Sequence, residues 1–152
     1  MPNHLYTTNQ NLEILQVYTF EGVACHVFQI EILIDLESRV PLYHWYHPVS
    51  GDNFYTRDPE GELAPANGYI SRGASCYVYA DGQQPNTKPF YRWVHPAEGI
   101  HFYTLDPTGE LAPASGYQPE GIACYVYDQQ QAFTVPLYRY YFQYEGAPVI
   151  IL

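Results

Sequence analysis

The stretch that decides the fold is residues 41–79, which read PLYHWYHPVSGDNFYTRDPEGELAPANGYISRGASCYVY. Residues 89–127 repeat it without a gap, 48 positions later, as PFYRWVHPAEGIHFYTLDPTGELAPASGYQPEGIACYVY. A third copy is divided between the chain ends: Pro136–Gly146 begins it, and His4–Asn9 and Glu21–Phe28 complete it. A repeat shared between the two ends predicts that the first and last strands pair and that the chain closes on itself.

The pattern inside each copy predicts strand, turn, strand, loop and strand. The first strands, Leu42–His47 and Phe90–His95, are rich in aromatic and β-branched residues, which suit a packed sheet. After a turn with Pro and Gly, the return strands are expected at Asn53–Thr56, His101–Thr104 and His4–Thr7. The Asp58-Pro59 and Asp106-Pro107 stretches that follow have the chemistry of tight turns.

These features predict an all-β fold in a single domain over residues 1–152. The repeats would be 41–88, 89–135, and a split one made of 136–152 plus 1–40. With 13 prolines, 11 glycines and 17 tyrosines, the composition excludes long helices and favours strands. A closed, pseudo-threefold, β-trefoil-like ring fits the repeat length best, and a three-bladed propeller-like ring is the alternative.

The charge of −10 excludes several classes of partner. The chain has six basic residues in all, and phosphate backbones or anionic lipid surfaces need clusters of them, so we expect neither nucleic acid nor a membrane as partner. No apolar run approaches the roughly 20 residues that cross a bilayer, which predicts no membrane insertion. The N-terminus has no basic, then apolar, signal segment, which predicts a cytoplasmic protein, with release by a non-classical route as an option.

The three cysteines, Cys25, Cys76 and Cys124, occupy equivalent places in the three copies. Their odd number and equivalent positions predict buried free thiols in a reducing compartment rather than disulfides. We expect no metal and no cofactor.

The first strand of each copy combines aromatic rings with polar groups, as sugar-binding sites do. Sugars present apolar C–H faces to aromatic rings and hydroxyls to fixed polar side chains. The candidate ligand-binding residues are Tyr43, His44, Trp45, Asn53, Tyr91, Arg92, Trp93, His101, Glu120, Tyr138, Arg139, His4 and Glu21.

Each candidate also has a structural interpretation. The tyrosines and tryptophans are equally typical of core packing, and Arg92 and Arg139 could form ion pairs with Glu120 and Glu21 rather than contact a ligand. Strict alternation would place Arg beside Leu in the core, so the strand either bulges there or the arginine extends its head group outward. The first copy departs from the others, with His44 for arginine, Asn53 for histidine and Arg72 for glutamate.

Catalysis has little support in the sequence. No nucleophile elbow, zinc-protease or P-loop motif is present. The carboxylates of Asp58 and Glu60 do not recur as a pair, because the second copy has Asp106 with Thr108. We therefore expect no enzyme activity.

The HFYT, PLYR and EGxAxYVY blocks, in order and at matching spacing, resemble a repeat family of unknown function. That family occurs in bacterial and fungal proteins, often with cell-wall or sugar-active enzymes, and small mushroom lectins have a similar size and symmetry. The resemblance implies a lectin with up to three related sites for glycans or glycoproteins.

The competing prediction is a trefoil-type protease inhibitor or another protein-binding module. Its key residues would fall in the non-repeating segment 29–40 or in the tail 148–152. The apolar Val149–Leu152 end could also provide the contact of a homodimer.

Overall fold

The computed structural model describes residues 3–29 and 39–142, and in these ranges the protein is all-β. The predictions for segment 30–38 and for the tail after residue 142 lie outside the described residues. Nine strands occur in the described ranges: β1 (Asn3–Thr7), β2 (Thr19–Phe28), β3 (Arg39–Tyr46), β4 (Asn53–Thr56), β5 (Ile70–Tyr79), β6 (Thr87–His95), β7 (Ile100–Thr104), β8 (Gln118–Tyr127) and β9 (Thr134–Phe142). The helical elements there are single 3₁₀ segments at Glu13–Val17, Pro65–Asn67 and Pro113–Ser115.

The strands form three antiparallel sets of the same design. A long first strand lies between a short return strand and a long last strand, giving β4–β3–β5, β7–β6–β8 and β1–β9–β2. The third set unites the chain ends, with His4 opposite Tyr141 and Thr7 opposite Tyr138. The predicted pairing of the first and last strands is confirmed.

The three sets meet at the ends of their last strands. Phe28 pairs with Tyr77, His26 with Tyr127, and Tyr79 with Tyr125, so β2, β5 and β8 each pair with the other two.

The first strands are irregular where the sequence places arginine. The pairing of β6 with β8 shifts register on both sides of Tyr91, and β3 shifts against β5 around Tyr43 in the same way. Of the two alternatives that the sequence leaves open, the structure shows the bulge. Phe90 is buried, whereas the Arg92 side chain reaches Glu62 of the preceding copy.

The centre of the core is a cycle of three tyrosines, one from each return strand. The hydroxyl of Tyr6 donates to the Tyr103 carbonyl, Tyr103 to the Tyr55 carbonyl, and Tyr55 to the Tyr6 carbonyl, at 2.7–3.0 Å. Each hydroxyl also accepts a backbone N–H. The Tyr6 hydroxyl accepts that of Tyr103, the Tyr103 hydroxyl that of Tyr55, and the Tyr55 hydroxyl that of Tyr6. The rings pack edge to face with centroids 5.4–5.5 Å apart. Buried strand N–H and C=O groups are satisfied by side chains here, where no further strand could satisfy them.

The cysteines surround this cycle. Cys25, Cys76 and Cys124 are free and buried in the same cluster, as the sequence predicts. Burial raises the pKa of Cys76 to about 12 and raises those of the other two thiols as well. The thiols therefore stay protonated and act as small apolar side chains.

The predicted turns at Asp58 and Asp106 place a glycine against each tryptophan. The Asp58 carboxylate accepts the N–H groups of Glu60 and Glu62, and its carbonyl accepts that of Gly61. Gly61 then lies directly on the indole of Trp45. The second copy builds the same turn over Trp93.

Candidate functional site

A cavity of about 470 Å³ opens between the first and second copies. One wall comes from β4 and the loop up to Tyr69, and the other from β6, β7 and β8. The lining residues are His47, Ser50, Phe54, Glu62, Leu63, Ala64, Asn67, Tyr69, Arg92, Glu98, Gly99, His101 and Glu120.

Arg92 joins the two walls through two carboxylates. Its Nη1 and Nη2 donate to Glu62 of the preceding copy at 2.9 and 3.1 Å, a two-pronged contact. Its Nε lies 2.7 Å from Glu120 Oε1 of its own copy. The guanidinium carbon also lies 4.8 Å from the centre of the Phe54 ring. The ion pair suggested between Arg92 and Glu120 is present, and Arg92 forms a second ion pair with Glu62.

His101 is held in the same wall by Asp52. The His101 ring nitrogen Nδ1 lies 2.6 Å from Asp52 Oδ2, and the His101 backbone N–H donates to Asp52 Oδ1 at 2.8 Å. Its Nε2 lies 3.4 Å from Glu120. The Tyr69 hydroxyl donates to the same Asp52 oxygen as the ring. Asp52 itself is buried, so its carboxylate bonds groups of the protein rather than a ligand.

These contacts fix the charges around the cavity. Burial alone would lower the pKa of His101, but the contacts with Asp52 and then Glu120 outweigh it and raise that pKa to about 9. Burial would raise the pKa of Glu62 and of Glu120, yet the bonds from Arg92 and His101 hold both below the usual range. At neutral pH the site therefore contains two cations and ionised carboxylates.

The raised pKa of His101 predicts a loss of stability at mildly alkaline pH. An unfolded histidine loses its proton near 6.5, whereas folded His101 keeps it until about 9. This stabilisation is complete below pH 6.5 and disappears as the pH rises through 9, and the two pKa values make it about 3 kcal/mol. Urea unfolding followed by tryptophan fluorescence at pH 6, 7.5 and 9 measures it.

The variant His101→Gln should lose most of that slope, while His95→Gln should keep it. An equal slope in wild type and His101→Gln would show that the ion pair with Asp52 contributes little.

A similar cluster occurs between the second and split copies. Arg139 donates to Glu110 at 2.8 and 3.0 Å, and its Nε lies 2.7 Å from Glu21. His4 Nε2 lies 2.9 Å from the same Glu21 oxygen.

The third junction is built differently. His44 Nε2 lies 2.8 Å from Asn53 Oδ1, and Asn53 donates in turn to the His4 carbonyl. Burial lowers the pKa of His44 to about 4, so its ring is neutral. Arg72 turns away to the Tyr46 ring, 5.1 Å from its centre.

The remaining predicted residues lie outside the cavity. Trp45 and Trp93 are covered by Gly61 and Gly109. Tyr43, Tyr91 and Tyr138 are half-buried on the first strands, with Tyr91 packed against a cluster around Trp93.

Sequence reasoning missed Asp52, Glu62 and Tyr69. Glu62 had a usable sequence signal, because Glu110 recurs at its position in the second copy. In the structure, Thr56 and Thr104 donate to these two carboxylates in the same way. Asp52 carried none, since the second copy has Ile100 at that place.

Within residues 3–29 and 39–142, no three side chains of the metal-binding types come together in a way that could hold an ion. Over the same ranges, no helix is long and apolar enough to span a bilayer.

Comparison with known proteins identifies a family. No curated protein and no solved structure matches the chain. The profile of one family, described as "Domain of unknown function (DUF5648)", matches twice, over residues 1–110 and 41–148. The two matches overlap, so the profile can be placed at two registers along this repetitive chain. Together they cover almost the whole sequence, and the chain belongs to the DUF5648 family.

Proposed function

We propose that this protein is a lectin: it binds carbohydrate without catalysis, and the cavity between Phe54 and Arg92 is its main glycan site. The observation that carries the proposal is the composition of that cavity. Apolar surface from Leu63, Phe54 and Tyr69 lies beside polar groups whose positions are fixed by ion pairs. A sugar needs both, an apolar plate for its C–H face and immobile partners for its hydroxyls.

The fixed polar groups are preorganised. Arg92 is held at three nitrogens and His101 at both ring nitrogens. A ligand hydroxyl would therefore meet partners that lose little side-chain freedom on binding.

The charges favour neutral or amine-bearing sugars over acidic ones. Both cations already face carboxylates, so neither offers an open site for a uronate or sialate carboxyl group. The carboxylates near the cavity outnumber its cations: Asp52, Glu62, Glu98 and Glu120 against Arg92 and His101. A hydroxyl or ammonium group can donate to Glu62, Glu98 or Glu120, which line the cavity, whereas an anion is repelled.

The proposal includes the finer fold. The three strand sets would close as a pseudo-threefold, β-trefoil-like ring, with the three-bladed propeller-like ring as the alternative. The tyrosine cycle and the mutual pairing of β2, β5 and β8 support closure. In such a ring each cavity lies at a junction between copies, where weak sites can act together on repeated glycans.

A glycan array tests the function. We expect bound glycans to share a neutral or amine-bearing terminal sugar, and glycans with acidic ends to give no signal. Leu63→Asn, at a highly exposed cavity residue, should weaken binding about tenfold, equal to roughly 1.4 kcal/mol. Val49→Asn is the matched control, because Val49 is also highly exposed but does not line the cavity.

An array without signal would overturn the lectin proposal. If the protein instead inhibited serine or cysteine proteases, the protein-binding alternative would take its place.

A further inference from the structure

The junction between the second and split copies matches the first cavity contact by contact. Phe54 lies 4.7 Å from the His101 ring and 6.0 Å from Tyr69; Phe102 lies 4.8 Å from His4 and 6.4 Å from Tyr117. These are ring-centroid distances. His47 also packs edge to face against Tyr69, and the equivalent His95 against Tyr117, with ring centroids 5.0 and 5.2 Å apart.

The charged groups match as closely. Arg92 and Arg139 each bind two glutamates at nearly equal distances, and each lies about 5 Å from a phenylalanine of the preceding copy. Their side chains are 12% and 14% exposed, and their glutamate partners are 32–38% exposed. Leu111 is as exposed beside the second cluster as Leu63 is in the first. The arginines, their glutamate partners and the two leucines are therefore presented to solvent in the same way.

One of the substitutions between the two junctions changes the contacts of the histidine and the tyrosine. Ile100 stands where Asp52 stands in the first, so His4 has a carboxylate at Nε2 only, that of Glu21, and the Tyr117 hydroxyl has none among the described residues. His4 Nδ1 and the Tyr117 hydroxyl are buried and find no hydrogen-bond partner in the described part of the chain. Buried polar atoms without a partner are costly, and a ligand or solvent hydroxyl is the natural complement.

The third junction has lost the arginine, the histidine and the phenylalanine of this arrangement, although Tyr18 stands where Tyr69 and Tyr117 stand. His44 replaces the arginine and Asn53 the histidine, while Leu5 takes the place of the phenylalanine. The ring of His44 stacks on Tyr55 instead, with centroids 4.6 Å apart. Thr7 bonds within its own loop, at Asn9, where Thr56 and Thr104 bond a glutamate.

We propose that the junction formed by Phe102, Tyr117, Arg139, His4 and Glu21 is a second site for a neutral, hydroxyl-bearing sugar, and that the His44 junction is not a site. The protein then binds two ligands per chain, at two sites of unequal chemistry. This inference rests on the proposed lectin function. The second site offers the unpartnered Tyr117 hydroxyl to the ligand, whereas the first offers the carboxylates around His101.

A titration followed by two-dimensional ¹H–¹⁵N NMR tests the inference. The probes are N-acetylglucosamine, methyl α-mannoside and methyl β-galactoside, each added to the ¹⁵N-labelled full chain. We expect one of them to shift two separate groups of amides, around Phe54 and Arg92 and around Phe102 and Arg139. The two groups should follow different binding curves.

Matched variants assign the groups of shifts. Leu63→Asn should remove the first group only, and Leu111→Asn the second only. Both positions are exposed, so folding should survive, and the unliganded spectrum checks this. Arg72→Gln, at the third junction, should leave both groups unchanged.

The outcomes separate the two claims. Shifts confined to the Arg92 group would overturn the second site and leave the lectin function standing. A third group of shifts around His44 would overturn the claim that this junction is lost. No shift with any of the three probes would overturn both the second site and sugar binding of this class.

Discussion

Replacing Tyr103 with phenylalanine is expected to lower the free energy of unfolding by about 3 kcal/mol. The Tyr103 hydroxyl donates to the Tyr55 carbonyl and accepts the Tyr55 N–H, at 2.9 and 2.7 Å. Both backbone groups are buried, and each would lose its partner at a cost of about 1–3 kcal/mol. Urea unfolding of wild type and variant measures the difference.

Tyr91→Phe is the matched control. Its ring is half-buried and its hydroxyl makes no hydrogen bond within the described residues, so the expected change is within about 0.5 kcal/mol. If Tyr103→Phe were as mild as Tyr91→Phe, the tyrosine cycle would not be a main source of stability.

Gly109→Ala should also lower the free energy of unfolding by about 3 kcal/mol. Gly109 has φ +80°, which is strained for alanine and costs about 1–2 kcal/mol. A Cβ there would also lie 2.6 Å from Cζ2 of Trp93, a rigid and buried ring that cannot give way cheaply. Thermal or urea unfolding measures the loss.

Gly121→Ala isolates the steric part of that effect. Gly121 has φ +94° but nothing within 4 Å of a Cβ, so only the backbone strain applies and the loss should be about 1 kcal/mol. Equal losses in the two variants would mean that the contact with Trp93 contributes nothing.

The strands could be predicted from the sequence because their signals are local and repeated. The return strands were predicted at Asn53–Thr56 and His4–Thr7, and the structure has them at Asn53–Thr56 and Asn3–Thr7. Each prediction was supported by two other copies, so a weak pattern in the split repeat was strengthened by its clear counterparts. The pairing of the chain ends followed from the split copy alone.

The site was harder to predict because it is assembled between copies. Comparing one copy with the next suggested Glu120 as the partner of Arg92, since both recur together. The two-pronged partner is Glu62 of the preceding copy, 30 residues away in sequence. Asp52 could not have been found by recurrence, because its role is unique to one junction.

The departures in the first copy now have a common physical reason. The split copy has Glu13 at the place of Glu62, but Thr7 there bonds Asn9 rather than a glutamate. Leu5 stands at the place of Phe54. An arginine at position 44 would be buried with few partners there, which is costly. Neutral His44, bonded to Asn53, fits the site that remains.

The most direct test of the central claim is isothermal titration of the best array glycan into wild type and Arg92→Met. Methionine keeps much of the arginine stem, so the cavity wall stays while the link between Glu62 and Glu120 is lost. The proposed site predicts at least a tenfold weaker affinity at that site, in protein that urea unfolding shows to be folded. Affinity and stoichiometry equal to wild type would contradict the claim that glycans bind between Phe54 and Arg92.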